Sequence, residues 1–290
     1  MEGIEDKLSR FAYRDWMIDV KYGLSHLMDY LQDESSGYNS IKAIIEQKKE
    51  SKEEAIQLLD SDGSLSMSLE SAIFGKIKVD GVMRSADGLC SHGIMHVVDG
   101  MRAMRLDPKI KGAIVEMNTG GGEVTAAAMF RGAIKEMVDA GKPVIVYAHK
   151  AASGGIYSTV DATEIIASDE MAEFGSVGVM LSLNKELLSY VRQNVLSLYS
   201  ENSPNKNRWF RDIIENEQNT KLAISELTRS DSLFMSAVKD NRPLKGTEAE
   251  INDTLSGLMF PAAEAKRRGL IDNIGTYQFA INKLKEYTNV

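Results

Sequence analysis

Short apolar runs alternate with amphipathic segments through the middle of the chain. Residues 73–82 have the composition of a strand, residues 94–106 carry apolar side chains at helical spacing, and residues 113–117 form a second apolar run. A strand, a helix and a strand within about forty residues make a βαβ unit, which implies a parallel sheet. The pattern therefore predicts an α/β fold.

The same alternation continues towards the C terminus. It predicts, in order, a helix over 124–140, a buried strand over 144–148, helical continuation over 158–162, a strand over 165–167, one long helix over 213–239, a short helix over 261–268 and a terminal helix from residue 277. Gly141 follows the first of these helices and Pro143 comes just beyond, which is a typical helix end.

The first sixty residues have a different pattern. Apolar residues at three-and-four spacing predict a helix from Met17 to Leu31 and a second helix from Ile41 to about Leu59, with a charged run over 46–54 inside the second. A solvated helical face is the simpler interpretation, and an oligomer-contacting or scaffold-like arm is the alternative. We therefore expect an N-terminal helical arm over 1–70 and a main domain over 71–290.

Composition narrows the classes of function. The 290 residues carry a formal net charge of -8 and no basic face stands out, which argues against nucleic acid as the main partner. Cys90 is the single cysteine, so the chain has no disulfide framework. No window approaches the length of apolar sequence that a membrane helix needs. The sequence predicts a protein of a reducing compartment, the cytoplasm, without a membrane anchor.

The candidate chemistry begins directly after the predicted strand over 144–148. Residues 151–157 read A-A-S-G-G-I-Y, so Ser153 lies at a strand-to-helix turn. A serine there presents its hydroxyl at the mouth of the sheet, and the neighbouring amides at the helix N terminus can hold a developing oxyanion. Ser153 is thus a candidate nucleophile, although small residues and glycine pairs are also common in ordinary turns.

A glycine run lies at the preceding strand-to-helix junction. Residues 118–123 read N-T-G-G-G-E, without the Rossmann spacing or the P-loop lysine. Nucleotide binding is therefore disfavoured. The glycines can instead let backbone approach a substrate carbonyl or peptide closely.

A serine nucleophile needs a base, and histidine is the usual one. All four histidines, His26, His92, His96 and His149, precede Ser153. His92 and His96 have the spacing of one helical turn, but no further metal-ligand motif accompanies them, so we expect no metal site. A desolvated lysine is the leading alternative base.

Four motifs in order resemble a known family. N-T-G-G-G-E-V (118–124), A-A-S-G-G-I-Y (151–157), F-G-S-V-G-V (174–179) and M-F-P-A-A-E-A-K-R-R-G-L-I-D-N-I-G (259–275) look like the signal peptide peptidase A (SppA) family of serine proteases, relatives of the ClpP/crotonase fold. The resemblance covers about 75–290. It implies an α/β fold in which a ClpP/crotonase-like spiral of βαβ units follows the helical arm in the sequence.

The resemblance also implies a Ser-Lys dyad. Ser153 matches the nucleophile, and Lys206 lies where short members of the family have the lysine, in a polar loop with arginines downstream. The family favours S-G-x-x-K-D at the lysine, whereas residues 203–207 read S-P-N-K-N. Lys185 and Lys150 therefore stay open as alternative bases.

The remaining site residues come from the glycine motifs. The resemblance assigns the oxyanion hole to the amides of Gly121 and Gly154 and gives Ser176 a supporting role in orienting the lysine. The family usually has S-P-G-G where residues 119–122 read T-G-G-G, which keeps the amide that the chemistry uses.

The resemblance predicts a serine endopeptidase that acts on peptide or protein substrates through an acyl-enzyme and needs no cofactor. Signal-peptide fragments and phage scaffold or capsid proteins are the two substrate classes, with the cytoplasm or the phage procapsid as the location. A ring or dome of identical chains is the expected assembly. The alternatives are a catalytically inactive assembly or scaffold protein and an acyl-CoA enzyme of the crotonase type.

Overall fold

The structure is a computed structural model that describes residues 16–18, 55–68, 70–86 and 93–290. Its strands are β1 (Trp16–Ile18), β2 (Ile56–Leu59), β3 (Phe74–Asp80), β4 (Gly112–Thr119), β5 (Gly121–Glu123), β6 (Val144–Ala152), β7 (Glu164–Ala167), β8 (Glu173–Gly175), β9 (Met259–Pro261) and β10 (Asn273–Ile274). Its helices are α1 (Ile94–Leu106), α2 (Val124–Asp139), α3 (Gly154–Thr159), α4 (Lys185–Asn194), α5 (Arg208–Glu215), α6 (Lys221–Asn241), α7 (Glu248–Thr254), α8 (Ala262–Arg267) and α9 (Tyr277–Thr288).

Eight of these strands form the main sheet, whose central order is β10-β7-β6-β4-β3-β2. β3, β4, β6 and β7 are parallel neighbours connected through α1, α2 and α3, so each connection is a βαβ unit. β8 pairs with the last three residues of β6, and β9 is antiparallel to β8. This topology confirms the predicted α/β class and its βαβ units.

Helices cover both faces of the sheet. Phe74 belongs to a buried cluster with Ile281 and Leu284 of α9. The neighbouring Gly75 faces the other way, and a Cβ added there would lie 2.2 Å from the sulfur of Met104 on α1. Since successive residues of a strand point to opposite faces, α9 and α1 enclose the sheet between them.

The chain forms two compact units. The larger, which we call the sheet unit, holds the sheet and includes the described residues between 55 and 178 together with residues 234–290. The smaller, the helical insert, includes residues 179–233. Leu188, Ile213 and Ala223 form the small buried cluster of the helical insert. No helix among the described residues is long and apolar enough to cross a membrane.

Most predicted elements are confirmed within a few residues, and three are wrong. The long helix predicted over 213–239 is two helices, because the chain extends at Asn216, which ends α5. Residues 56–59, predicted as the end of a helix, form β2, which pairs antiparallel with β3. Trp16–Ile18 is a strand, although a helix was predicted to begin at Met17. In both strands, pairing partners distant in sequence outweigh local helical periodicity.

The rest of the predicted arm lies outside the described residues. The predicted division between an arm over 1–70 and a domain over 71–290 stays a prediction. β2 nevertheless belongs to the main sheet, so the sheet begins before residue 71.

Candidate active site

Ser153 lies between the end of β6 and the first residue of α3. Its backbone has φ 52° and ψ -115°, a conformation that side-chain-bearing residues rarely adopt. Such geometry costs on the order of 1–3 kcal/mol and persists where the surrounding structure imposes it. The sharp turn sets the serine at the N terminus of the helix, a geometry that nucleophilic serines adopt in strand-turn-helix sites.

Two carbonyl groups of the following motif hold Ser153. Its N–H donates to Gly175 O at 2.8 Å, and its hydroxyl donates to Gly178 O at 3.4 Å. The residue is 1% exposed. The candidate nucleophile is therefore buried, with its hydroxyl directed at backbone of the 174–179 motif.

The glycine turn lies beside this serine. β4 ends at Thr119, and β5 begins at Gly121, whose φ of 99° favours glycine. The Gly121 N–H donates to Thr119 Oγ1 at 3.0 Å, while that hydroxyl donates to Gly81 O at 2.6 Å. The amide assigned to the oxyanion hole thus has an intramolecular acceptor in this structure.

The absence of a side chain at Gly155 lets α3 pack closely against the glycine turn. A Cβ added at Gly155 would lie 2.7 Å from Thr119 Cγ2 and 3.6 Å from the sulfur of Met117. A contact of 2.7 Å is closer than carbon atoms tolerate, so the second glycine of the A-S-G-G motif is needed for packing. Gly154, one residue earlier, is the first residue of α3, where a helix leaves its amides without intrahelical acceptors.

Helix α3 is also held from its other side. Arg131 of α2 forms an ion pair with Asp161 just beyond α3 and lies over the ring of Tyr157, 5.1 Å from its centroid. The Tyr157 ring meets the ring of Phe234 edge-on, with centroids 5.2 Å apart. These contacts fix the helix whose first turn carries the candidate oxyanion amide.

Ser176 follows β8 at the same level at which Ser153 follows β6, since Ala152 is paired with Gly175. Ser176 also has a positive φ of 53°, and its N–H donates to Leu258 O at 2.7 Å. The parallel register therefore brings two of the predicted site serines to the same edge of the sheet.

The predicted base lies in the helical insert. Lys206 is exposed in a turn, and its N–H donates to Ser203 O at 3.2 Å. Arg211 closes this loop, because it donates to Pro204 O at 2.7 Å and its guanidinium lies 4.5 Å from the centroid of the Tyr199 ring. Arg211, one of the arginines downstream of Lys206, thus stabilises the conformation of the loop that carries this lysine.

The two alternative lysines each have a carboxylate partner. Lys150 is a residue of β6 and lies 3.5 Å from Glu173 Oε2, measured from Nζ. Lys185 begins α4, and its Nζ lies 3.4 Å from Glu217 Oε2. The side chain of Lys150 is 20% exposed and that of Lys185 is 82% exposed.

Sequence reasoning missed several residues that shape the site. Thr119 binds the Gly121 amide, and buried Glu123 accepts hydrogen bonds from the N–H and hydroxyl of Ser85, at 3.0 and 2.7 Å. At Gly122 an added Cβ would lie 2.0 Å from Met83 O. The threonine and glutamate were visible within the motif, but Thr119 also donates to Gly81 O and Glu123 accepts from Ser85, each 38 positions away, and no local pattern indicates these partners.

Comparisons with known proteins identify the family of this chain. Residues 136–290 match the family model described as Peptidase family S49, and the matched range contains the serine turn and both later motifs. The chain belongs to peptidase family S49. The predicted membership of an SppA-like family is thereby confirmed.

Named relatives are similar over about two thirds of this chain. It is 30% identical over 187 residues to "Protease 4" of Salmonella typhi, covering 64% of this chain and 30% of the relative. It is 26% identical over 207 residues to "Serine protease SPPA, chloroplastic" of Arabidopsis thaliana, covering 67% and 28%. The chain thus spans less than a third of the length of these relatives.

Solved structures give a weaker likeness. An enoyl-CoA hydratase of Shewanella pealeana matches with a TM-score of 0.42 and 12% identity, over 73% of this chain and 70% of that one.

Proposed function

We propose that this chain is a serine endopeptidase that cleaves peptide bonds through an acyl-enzyme on Ser153, with Lys206 as the general base. The observation that carries the proposal is the buried, strained serine at the first turn of α3, beside the glycine turn. Backbone strain at a serine often marks a functional site, and the presentation of a nucleophile would explain the strain at Ser153.

The proposed reaction uses the residues in fixed roles. Lys206 Nζ takes the proton of Ser153 Oγ as that oxygen bonds to the substrate carbonyl carbon. The amides of Gly154 and Gly121 donate to the oxyanion that forms. The lysine then passes its proton to the leaving amine, the C–N bond breaks, and water hydrolyses the remaining ester by the same route.

Two features define what activation requires. The Gly121 N–H has to give up its hydrogen bond to Thr119 Oγ1 and donate to the oxyanion instead. Otherwise the turn has to rotate so that the Gly122 amide donates to the oxyanion in place of the Gly121 amide. Lys206 is exposed, and a lysine serves as a base at moderate pH only when burial favours its neutral form. The loop over 200–207 therefore has to be covered in the active enzyme.

We propose that neighbouring copies in a ring or dome cover this loop. The helical insert supports the idea, because Leu196 and Leu198, close to the loop in sequence, are both 86% exposed. Exposed leucines of this kind favour contact with another protein surface. Closure by rotation would let every copy make the same contact.

The proposed substrates are peptides or proteins in extended form, either signal-peptide fragments or the scaffold and capsid proteins of a phage. The relatives named as proteases support the peptide class. Cytoplasm and phage procapsid correspond to these two substrate classes.

A fluorophosphonate probe tests the nucleophile. The probe phosphonylates a serine only where base and oxyanion donors activate it, so intact protein should be labelled at Ser153 and nowhere else on peptide mapping. The Ser153→Ala variant should remain unlabelled, and Ser176→Ala should still be labelled at residue 153. Absence of labelling in assembled wild-type protein would contradict the proposal.

The alternative is a catalytically inactive member of the family that serves in assembly. Two hydrogen bonds favour it, because they engage groups that catalysis would need: the Gly121 amide donates to Thr119 Oγ1, and the Ser153 hydroxyl donates to Gly178 O. An inactive protein would assemble normally yet leave both the probe and every tested peptide unchanged.

A further inference from the structure

Residues 81–85, which we call the backing segment, lie along one edge of β5. Met83 N–H donates to Gly121 O at 2.9 Å, and Glu123 N–H donates to Met83 O at 2.8 Å. Consecutive residues of a strand direct their backbone groups to opposite edges, so the Gly122 N–H points away from the backing segment. The contact between β5 and this segment therefore sets the direction of the Gly122 amide.

Two side chains of the glycine motif hold the ends of this contact. At one end the Thr119 hydroxyl donates to Gly81 O at 2.6 Å. At the other end the Glu123 carboxylate accepts from the N–H of Ser85 at 3.0 Å and from the Ser85 hydroxyl at 2.7 Å. Both of these bonds end on the same oxygen of the glutamate, Oε2, so a single oxygen atom makes the contact.

The proposed reaction gives no part to the Glu123 carboxylate, although the residue is 5% exposed. A buried carboxylate is costly unless hydrogen bonds and positive charge compensate for its lost hydration. Glu123 directly precedes α2, whose N terminus favours a negative charge, but its side chain makes no capping hydrogen bond to that helix. The carboxylate is directed at Ser85 instead, and hydrogen bonds to a carboxylate are stronger than those to a neutral acceptor.

The backing segment is itself held by α1. Ile94 N–H donates to Arg84 O at 2.8 Å, and Met95 N–H donates to Ser85 O at 3.2 Å. Ile94 and Met95 are the first two residues of α1, where a helix leaves its amides without intrahelical acceptors. Hydrogen bonds therefore connect Glu123 through Ser85 to a helix that packs against the sheet.

We infer that Glu123 is a positioning residue for peptide cleavage: through Ser85 its carboxylate holds β5 against the backing segment, so that an amide of the glycine turn is directed at the oxyanion. The inference rests on the proposed function. An oxyanion donor acts only over a narrow range of distance and direction, so a shift of the turn by about 1 Å should lower kcat much more than it changes KM.

Four single substitutions in the full-length chain test the contact. Glu123→Ala removes the accepting oxygen and should lower kcat for a peptide by about 30-fold or more, with KM within about threefold of wild type. Ser85→Ala removes one of the two donors and should lower kcat by about tenfold. Glu123→Gln and Ser85→Thr keep an acceptor oxygen and a hydroxyl, so their kcat should stay within about fivefold of wild type.

Tyr287→Phe is the matched control. The Tyr287 hydroxyl donates to Glu164 at 2.9 Å, so this change also removes a hydroxyl from a carboxylate of low exposure, here 9%. Glu164 is the first residue of β7, whereas the glycine turn follows the last residue of the parallel strand β4. Tyr287→Phe and Ser85→Ala should lower Tm by similar amounts, and only Ser85→Ala should lower kcat.

An inhibitor separates positioning from a loss of folded protein. When Ser153 Oγ adds to the carbonyl carbon of the aldehyde of the same peptide, the former carbonyl oxygen lies where the oxyanion forms. The inhibition constant of this aldehyde should therefore rise among the variants in proportion to the fall in kcat. A smaller amount of folded enzyme would lower the apparent kcat but leave the inhibition constant unchanged.

The outcomes distinguish this inference from the proposed function. Equal kcat in wild type and Glu123→Ala, or a fall in kcat with an unchanged inhibition constant, would overturn the positioning role and leave the peptidase standing. Glu123→Gln as slow as Glu123→Ala would do the same. If Glu123→Ala does not fold, Ser85→Ala against Tyr287→Phe decides in the same way. A wild-type protein that neither cleaves peptides nor binds the aldehyde would overturn the peptidase, and the positioning role with it.

Discussion

The serine and the lysine of the proposed dyad occupy two contrasting environments. Ser153 belongs to the sheet unit and is 1% exposed, enclosed by glycines whose close contacts leave no room for a side chain. Lys206 belongs to the helical insert and lies in an exposed loop held by Arg211. The proposed nucleophile is held by a packed core, whereas the proposed base lies in a surface loop.

The cores of the two units differ in the same way. The sheet unit buries large side chains such as Phe74, Phe130 and Phe174 completely. The helical insert has a small cluster and exposes leucines at positions 196 and 198. The sheet unit holds the backbone around Ser153 by its own packing, whereas the insert exposes the two leucines that we propose as contacts for a neighbouring copy.

Replacing Ser153 with alanine should have the largest effect. Loss of the nucleophile leaves only binding and oxyanion contributions, so kcat/KM for a peptide should fall by about 10⁴-fold or more. Ser158→Ala is the matched control, since Ser158 is a buried serine of the same helix that donates only to Gly155 O. Substantial cleavage by the Ser153→Ala variant would show that the nucleophile is another residue.

Replacing Lys206 with alanine should cost about 10³-fold in kcat/KM, because the serine then attacks without its base. The loss should not add to that of Ser153→Ala, since the two residues act as a unit. Lys185→Ala and Lys150→Ala are the parallel controls and should leave kcat/KM within about threefold. Near-normal turnover by Lys206→Ala, with a loss in one of the controls, would move the base to that lysine.

Gly155→Ala should break the contact between α3 and the glycine turn. The added Cβ would lie 2.7 Å from Thr119 Cγ2, so the helix has to shift. We expect a loss of about 1–3 kcal/mol in the free energy of unfolding and about 10²-fold in kcat. Gly132→Ala on α2 is the control: nothing lies within 4 Å of its added Cβ. That change should stabilise the fold by about 0.5–1 kcal/mol.

Within the sheet unit, the sequence predicted the elements whose signals are local. The apolar runs of β4 and β6 and the helical spacing of α1 need no distant partner to be recognised, and α1 was predicted over the bounds it has. The motif around Ser153 likewise fixes its own turn. These elements carry most of the candidate site.

Pairing between distant residues was what the sequence did not reveal. β2 and β1 owe their strand conformation to β3 and β5, tens of residues away or more. The hydrogen bond from the Gly121 amide to Thr119 Oγ1 was not predicted, although the two residues are two positions apart, because it depends on the folded shape of the turn. The break at Asn216 is polar and short, and its Asx turn, in which Gln218 N–H donates to Asn216 Oδ1, is hard to distinguish from an exposed helical face.

The smallest predicted effect concerns a half-buried carboxylate of the sheet unit, Glu264. Arg267 and Arg268 donate hydrogen bonds to Glu264, with the shortest contact at 2.6 Å, and they lower the pKa of that carboxyl from 4.5 to about 2. A lowered pKa in the folded state means that the ionised carboxylate stabilises the fold above about pH 4.5. This contribution is lost as the pH falls from there towards 2.

Glu264→Gln should therefore lower the melting temperature by at most about 2 °C at neutral pH, because the carboxylate is 30% exposed and solvent screens its ion pairs. The difference from wild type should shrink as the pH drops from about 4.5 to 2, where the wild-type carboxyl also becomes neutral. Glu226→Gln is the control, since Glu226 pairs with Arg229 alone on an exposed helix. A difference that stayed constant down to pH 2 would mean that packing of the side chain, rather than its charge, stabilises α8. Glu264 would then stabilise the sheet unit by packing, as the core residues do, whereas Lys206 in its exposed loop would not.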